Sequence, residues 1–424
     1  MHKRSSMRIF ALVLLLSLKL FAIDATLEIV KNTNKIPYIV VERLDSDNAD
    51  FGTKILKMLV ADLKVSGHFQ ANDGGVVKPT HITYKDYADK KIDLLAQIKV
   101  SKSSNTLTGT ISLYDINASK HIYTKNYTED ELKRFPFIAH RMTIDVNNYI
   151  HAPSIQWMNR LVVLSQYTTS GNSEILIADY TLTYQKVVVK GGLNIFPKWA
   201  DSKQESIYYT KYLEVPTIVR HNLATGQIEQ LVGSEGVAMV SDVSKNGENL
   251  ILSLSPTALS DLYLYNTKSK NLRRLTNYSG IDVDGKFVND EKEIIFVSDR
   301  LGYPNIFMMR IDGGGTEQVV LHGRNNSAIT SNGQYAVYTS RETNNEFGSN
   351  TFNLYLISLA PGSNYIRRLT ASGKNQMPKY SSDGGSIMYL KHYKAQSALG
   401  IIRVDYNTNY FFPLTKMKIQ AFDW

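Results

Sequence analysis

Four short stretches carry residue types that could do chemistry. Asp299-Arg300 offers a carboxylate beside a guanidinium. Asp282-Val283-Asp284-Gly285 has the opening spacing of a calcium loop, in which alternate acidic oxygens wrap a cation around a glycine turn. Gly313-Gly314-Gly315 has the glycines of a phosphate cradle. Gly233-Ser234-Glu235-Gly236 sets a serine among glycines, as a nucleophile elbow does.

Each falls short of its chemistry. The calcium-like stretch lacks a third acidic ligand and the glutamate at position 12 of such a loop. The triple glycine has no helix after it and no Lys-Ser/Thr pair, so it reads as a hairpin. The serine lacks the G-x-S-x-G spacing. His68, His81, His121, His140 and His151 are scattered without an i,i+4 partner and read as surface or packing histidines. His221, His322 and His392 form no cluster in sequence. No catalytic, cofactor or metal set is expected, and Asp299-Arg300 reads as a turn stapled by local hydrogen bonds.

The elements around that pair explain more than the pair does. Ile294–Val297 and Ile306–Met309 are β-branched, aromatic or methionine-rich strands flanking a turn rich in Asp, Gly, Pro and Asn. Glu317–Leu321 follows the glycine hairpin, and Phe287 stands before another turn, Val288–Glu291. Residues 287–312 are the core of a four-stranded antiparallel meander, and versions of it recur. Trp199, Val243, Phe287, Ile329 and Tyr380 each precede a polar turn, at steps of 44, 44, 42 and 51 residues. Four short strands per period of 40–45 residues is the spacing of propeller blades. The long step holds an insertion at Glu342–Thr351, which a loop absorbs at small entropic cost. Leu161–Leu164, Ile175–Ala178 and Lys186–Val189 lack a first strand, and 418–424 is a first strand with nothing after it. Together they make a sixth blade that closes the ring and hides sheet edges.

The 424 residues leave room for a second domain. Residues 1–22 read as a secretory signal: Lys3, Arg4 and Arg8 precede the short apolar run Ile9–Leu18, and Ala22 closes the segment. Its loss lowers the basic residues from 48 to 44 against 39 acids, so the net charge falls from +9 to +5 and gives no case for nucleic acid. There is no Cys, which excludes disulfides and thiolate chemistry. A small domain is expected over 23–152, mixing helices and strands: strands at Thr26–Val30 and Ile36–Val41, and a helix from Phe51 to Val65 stopped by Gly67. A weaker helix is expected over His81–Lys91, followed by strands at Leu94–Val100, Thr106–Tyr114 and His121–Tyr127. A capping box at Thr128–Glu131 opens a last helix buried through Leu132, Phe135, Ile138, Met142, Val146 and Tyr149. The expected architecture is therefore an α+β N-terminal domain followed by an all-β six-bladed propeller over 155–424.

Residues entering each inner strand crowd one mouth of the central channel. They are Asn194, Phe196, Met239, Val240, Val283, Asp284, Asn325, Asn326, Gln376 and Met377. Methionine, phenylalanine and valine beside amides and one acid make an adaptable binding surface.

The order of parts resembles the TolB family, periplasmic components of the Tol–Pal envelope system. The local resemblance is densest at Phe296-Val-Ser-Asp-Arg-Leu-Gly-Tyr-Pro-Asn-Ile-Phe307 with the Gly313-Gly314 turn, and at Leu63-Lys-Val-Ser-Gly-His-Phe69. It departs at Trp199, which Ala-Asp-Ser-Lys follows, and at Val243 and Ile329, which replace aromatic anchors. The resemblance implies a monomeric, non-enzymatic scaffold without cofactor. Its propeller mouth, at Val240 and Val283 among others, binds the lipoprotein Pal. Its mature N-terminus, here Ile23, Asp24, Thr26, Leu27 and Ile29, contacts TolA and switches Pal affinity. Other outer-membrane proteins are further partners, and the role is envelope integrity and constriction at division. Two rival classes stay open. An exported propeller enzyme acting on cell-wall peptides or glycans would need either an α/β-hydrolase domain, for which the sequence after the repeats leaves no room, or a lyase's His/metal cluster, for which the repeats offer only His221, His322 and His392. A glycan-binding module would bind purified peptidoglycan without any protein partner.

Overall fold

The computed structural model describes residues 36–45, 48–79, 81–342, 351–415 and 417–424. The expected signal, the strand at Thr26–Val30, the switch residues Ile23–Ile29 and most of the Glu342–Thr351 insertion lie outside them.

The first domain is a five-stranded sheet backed by helices. Its strands are β1 (Tyr38–Leu44), β2 (Gln70–Val77), β3 (Leu94–Ser103), β4 (Thr106–Asp115) and β5 (Lys120–Glu129), in the order β2-β1-β3-β4-β5. Strand β1 runs parallel to both neighbours, and the others pair antiparallel. Helix α1 (Ala49–Ser66) starts where the Asn48 side chain accepts the Phe51 N–H at 3.2 Å, and it stops at Gly67 in the left-handed region. Helix α2 (Tyr84–Ala88) is shorter than the expected 81–91. Helix α3 (Phe135–Tyr149) buries Ile138, Met142 and Val146 against Leu107, Ile111 and Leu113 of β4. Gly109 makes that approach possible: a Cβ there would stand 2.5 Å from Ile138.

Two expectations fail here. Strand β2 was not anticipated, because its Asn-Asp-Gly-Gly core carries turn chemistry. It forms as an exposed edge, where pairing with β1 outweighs propensity. The capping box does not form either. Glu129 ends β5 and binds Arg134 and Arg141 at 2.6 and 2.5 Å, so α3 starts later, with Pro136 in its first turn, where its missing N–H costs nothing.

The rest of the described chain forms six four-stranded meanders. Blade 1 is Asn194–Trp199, Ser206–Tyr212, Pro216–Asn222 and Ile228–Gly233, and blade 2 is Ala238–Val243, Asn249–Leu254, Asp261–Asn266 and Leu272–Arg274. Blade 3 is Asp282–Val288, Glu293–Ser298, Asn305–Arg310 and Glu317–Gln318, its last strand shorter than the expected 317–321. Blade 4 is Arg324–Ser331, Tyr335–Arg341, Phe352–Ser358 and Ile366–Arg368, and blade 5 is Lys374–Tyr380, Ser386–Tyr393, Gln396–Arg403 and Thr408–Pro413. A single parallel bridge, Phe352 to Lys374, joins blades 4 and 5. Blade 6 joins the two ends of the repeat region: Ile419–Asp423 is its inner strand, followed by Val162–Thr169, Asn172–Ala178 and Gln185–Val189. In blade 4 the residue opposite Ala336 is Ser331 rather than Ile329, because the inner strand bulges.

Antiparallel order puts second-to-third-strand loops and blade-to-blade connections on one face, and the other turns on the opposite face. The first domain sits on that opposite face. Lys64 of α1 accepts the Tyr410 hydroxyl at 2.6 Å, and Val65 and Ile144 join a core with Trp157, Tyr180, Phe412, Phe422 and Trp424. Its polar centre is fully buried. Asp62 accepts from His140 Nδ1 at 2.7 Å and from the Tyr180 hydroxyl, while His140 Nε2 lies 3.4 Å from Asp179 of blade 6. Beside it, His68 Nδ1 donates to Asn147 at 2.5 Å, and the buried Arg403 donates to His68 Nε2 at 3.3 Å. Burial, assisted by Arg403 and only partly offset by Asn147, lowers the His68 pKa to about 4.

Candidate functional site: the channel mouth

Asp299 and Arg300 serve the fold. Arg300 Nη2 reaches both oxygens of the fully buried Asp282 carboxylate at 3.0 and 3.1 Å, and Nε donates to Ser298 at 2.8 Å. The guanidinium lies over Phe307, Tyr278 and Phe296 at 4.9, 5.1 and 5.4 Å. The Asp299 side chain accepts the Ile281 N–H at 2.8 Å. Arg300→Ala strands a buried carboxylate and is expected to cost about 3 kcal/mol in urea unfolding.

A cavity of about 210 Å³ opens at the centre of the ring. Five of the ten expected mouth residues line it: Phe196, Met239, Val240, Asp284 and Met377. The other five do not. Asn194 and Asn326 are buried and clamp the entering loops, Asn194 donating to Gly191 at 2.9 Å and Asn326 to His322 and Asn305 at 2.8 and 2.9 Å. Val283 packs into the core between blades 3 and 4, and Asn325 and Gln376 stay half-buried beside the rim.

Backbone shape aims the lining. Phe196, Asp284, Ala328 and Met377 all have φ between 49° and 56°, each at a bulge in its inner strand. Left-handed backbone at non-glycine residues costs energy and concentrates where a side chain must be re-aimed. Ala328→Gly, which relaxes one of these positions, is expected to raise unfolding stability by up to about 1 kcal/mol.

Below the rim the inner strands are linked by side chains. Trp199 N–H donates to Asp423, Phe287 N–H to Asp242 and Ile329 N–H to Asp284, each at 3.0 Å, and Tyr380 N–H donates to Thr330 at 3.2 Å. Each bond satisfies an N–H on an inner sheet edge with an acceptor from the preceding blade. Lysines alternate with these acceptors. Lys198 lies 3.4 Å from Asp423 and 3.5 Å from Asp242, and Lys286 pairs with Asp284 at 2.6 Å. Burial alone would lower the Lys198 pKa, but Asp423 and Asp242 outweigh it and raise it. Lys379 has no carboxylate within ion-pair distance among the described residues. Burial, then repulsion from Lys286 and Lys198, only partly offset by Asp423 and Asp284, lowers its pKa to about 8.

The expected site contained none of these lysines. Their signal was present in the sequence: Lys198, Lys286 and Lys379 each stand directly before an aromatic anchor.

The mouth face is also unusually apolar at its loops. Leu213, Val237, Leu259, Ile281, Leu301 and Leu321 are exposed, Leu321 at 84 %, and all lie on second-to-third-strand loops or blade-to-blade connections. Single exposed apolar residues are ordinary, whereas a set gathered on the loops of one face is a feature that interaction surfaces share. Among the described residues no group of three or more His, Cys, Asp or Glu could hold a metal ion, and no helix is long and apolar enough to cross a membrane.

Fold and mouth together define a propeller protein with a small α/β domain on the face opposite the channel mouth. The family model described as the TolB amino-terminal domain matches residues 25–122, and that of the TolB beta propeller domain matches 157–424. The chain is 88 % identical over 419 residues to the Tol-Pal system protein TolB of Helicobacter hepaticus, covering 99 % of this chain and 100 % of the relative. It is 51 % identical over 423 residues to that of Wolinella succinogenes, with coverage of 99 % and 100 %. The crystal structure of TolB from Acinetobacter baumannii superposes with a TM-score of 0.77 at 18 % identity, covering 95 % of this chain and 99 % of that one. The chain belongs to the TolB family, a periplasmic, non-enzymatic component of the Tol–Pal system.

Proposed function

We propose that the mouth face binds the peptidoglycan-associated lipoprotein Pal, while the segment from Ile23 to Asn34 binds TolA once residues 1–22 have been removed as an export signal. The chain thereby supports outer-membrane integrity and constriction at division. The observation that supports this most is the open cavity ringed by exposed apolar loops, on the face the first domain leaves free. A few large side chains near the centre of an interface carry most of its energy, and half-buried Phe196, Met239 and Met377 line this cavity.

Phe196→Glu and Met377→Glu are each expected to weaken capture of purified Pal at least tenfold while the melting temperature stays within a few degrees. Capture at full strength by both folded variants would reject the mouth. Deleting residues 23–34 is expected to abolish TolA capture and spare Pal capture. Retained TolA binding would reject the N-terminal assignment.

A further inference from the structure

The channel carries a charge pattern with one gap. Around the ring, blades 1, 3 and 5 contribute Lys198, Lys286 and Lys379, each before an aromatic anchor. Blades 2, 4 and 6 contribute Asp242, Thr330 and Asp423, each accepting the N–H of the next blade's anchor. Two of those three acceptors are carboxylates, and the third is a hydroxyl. The neutral position falls between Lys286 and Lys379. Lys286 compensates with Asp284 and with the Ser241 carbonyl. Lys379 has no ion pair among the described residues: Asp423 and Asp284, the latter already paired with Lys286, attract it only from beyond ion-pair distance, and it lines the cavity together with them, Lys198 and Lys286.

We propose that the channel is an anion site: a carboxylate-sized anion sits beside Lys379, on the Thr330 side of the ring, and supplies the charge that Asp242 and Asp423 supply elsewhere. An ammonium withdrawn from water and repelled by two neighbours gains most from such a partner. A free small anion and an acidic side chain of a docked protein share this chemistry. In the second case the inference rests on the binding reading given above, and it adds that the partner's anchor is acidic.

Thr330→Asp is the deciding variant, since it puts a carboxylate where the alternation lacks one. The full chain, labelled at lysine side chains for NMR, is titrated with sodium acetate against sodium chloride at equal ionic strength. Acetate is expected to shift the Lys379 and Lys286 signals. In Thr330→Asp those shifts should vanish, the Lys379 pKa should rise, and the melting temperature should rise by about 2 °C. Lys379→Met should also remove the acetate response while keeping the fold. Acetate shifts no larger than those of chloride in the wild type, or an undiminished response in folded Thr330→Asp, would overturn the site.

None of this requires a partner, so it is separable from failure of the binding reading. Pal capture then assigns the source. Capture weakened about tenfold in Thr330→Asp and competed by acetate points to a partner carboxylate. Unchanged capture, with the acetate response lost, points to a free anion.

Discussion

Asp62→Ala is expected to lower unfolding stability by about 4 kcal/mol, although the residue is remote from the proposed mouth. The carboxylate is fully buried and holds both the His140 imidazole and the Tyr180 hydroxyl. Removing it leaves a buried cation whose nearest acid, Asp179, is 3.4 Å away, and breaking one side of such a pair typically costs 3–5 kcal/mol. Because the network spans α1, α3 and blade 6, loosening should be seen by hydrogen exchange in both domains. Asp62→Asn, which keeps the shape, should recover part of the loss.

The same network gives a pH dependence with a definite sign. Burial alone would lower the His140 pKa, but Asp62 and Asp179 together raise it to about 9, from 6.5 in the unfolded chain. Below 6.5 both states are protonated, and the contribution is fully present. As pH rises further, the unfolded chain loses the proton first, and the stabilisation declines until it is gone above about 9. Denaturant midpoints between pH 6 and pH 10 should therefore fall more steeply for the wild type than for His140→Gln. Parallel slopes would remove His140 from this role.

The second large effect concerns ring closure. A chain ending at Lys418 is expected to fail to form a cooperatively folded propeller, read as loss of the thermal transition that reports the repeat region. Blade 6 then lacks its inner strand, and Val163–Gln166 expose a bare edge beside the channel. Lys198 and the Trp199 N–H lose Asp423. Trp157, fully buried, loses the edge-on packing of Trp424 at 5.1 Å. A peptide of residues 419–424 supplied in trans should restore part of the transition. A normal transition without it would show that closure is dispensable.

Much of this fold was legible in the sequence because local rules and tertiary demand agree. Helix α1 follows from its apolar stripe and Gly67. The blades follow from turns that repeat after Trp199, Val243, Phe287 and Tyr380. Where the two disagree, reading fails. Strand β2 hides behind Asn-Asp-Gly-Gly, and Ile329 misplaces an anchor because a bulge shifts the register. The site was half legible. Spacing picked out five residues that line the cavity, whereas Asn194 and Asn326 clamp loops; the lysines stand visibly before aromatic anchors, but their alternation with Asp242 and Asp423 runs around the ring and not along the chain. The Asp62–His140–Asp179 network was unreadable for a similar reason: Asp62 and His140 lie 78 residues apart, and neither belongs to a motif.

Closure by the last strand also sets a timetable. Blade 6 pairs the earliest-made strand of the repeat region with Ile419–Asp423, so Val162–Thr169 waits, unpaired on its inner edge, until that distant strand has been made. Synthesis of Ile419–Asp423 is then itself the step that locks the ring, and a chain without that strand keeps an open edge.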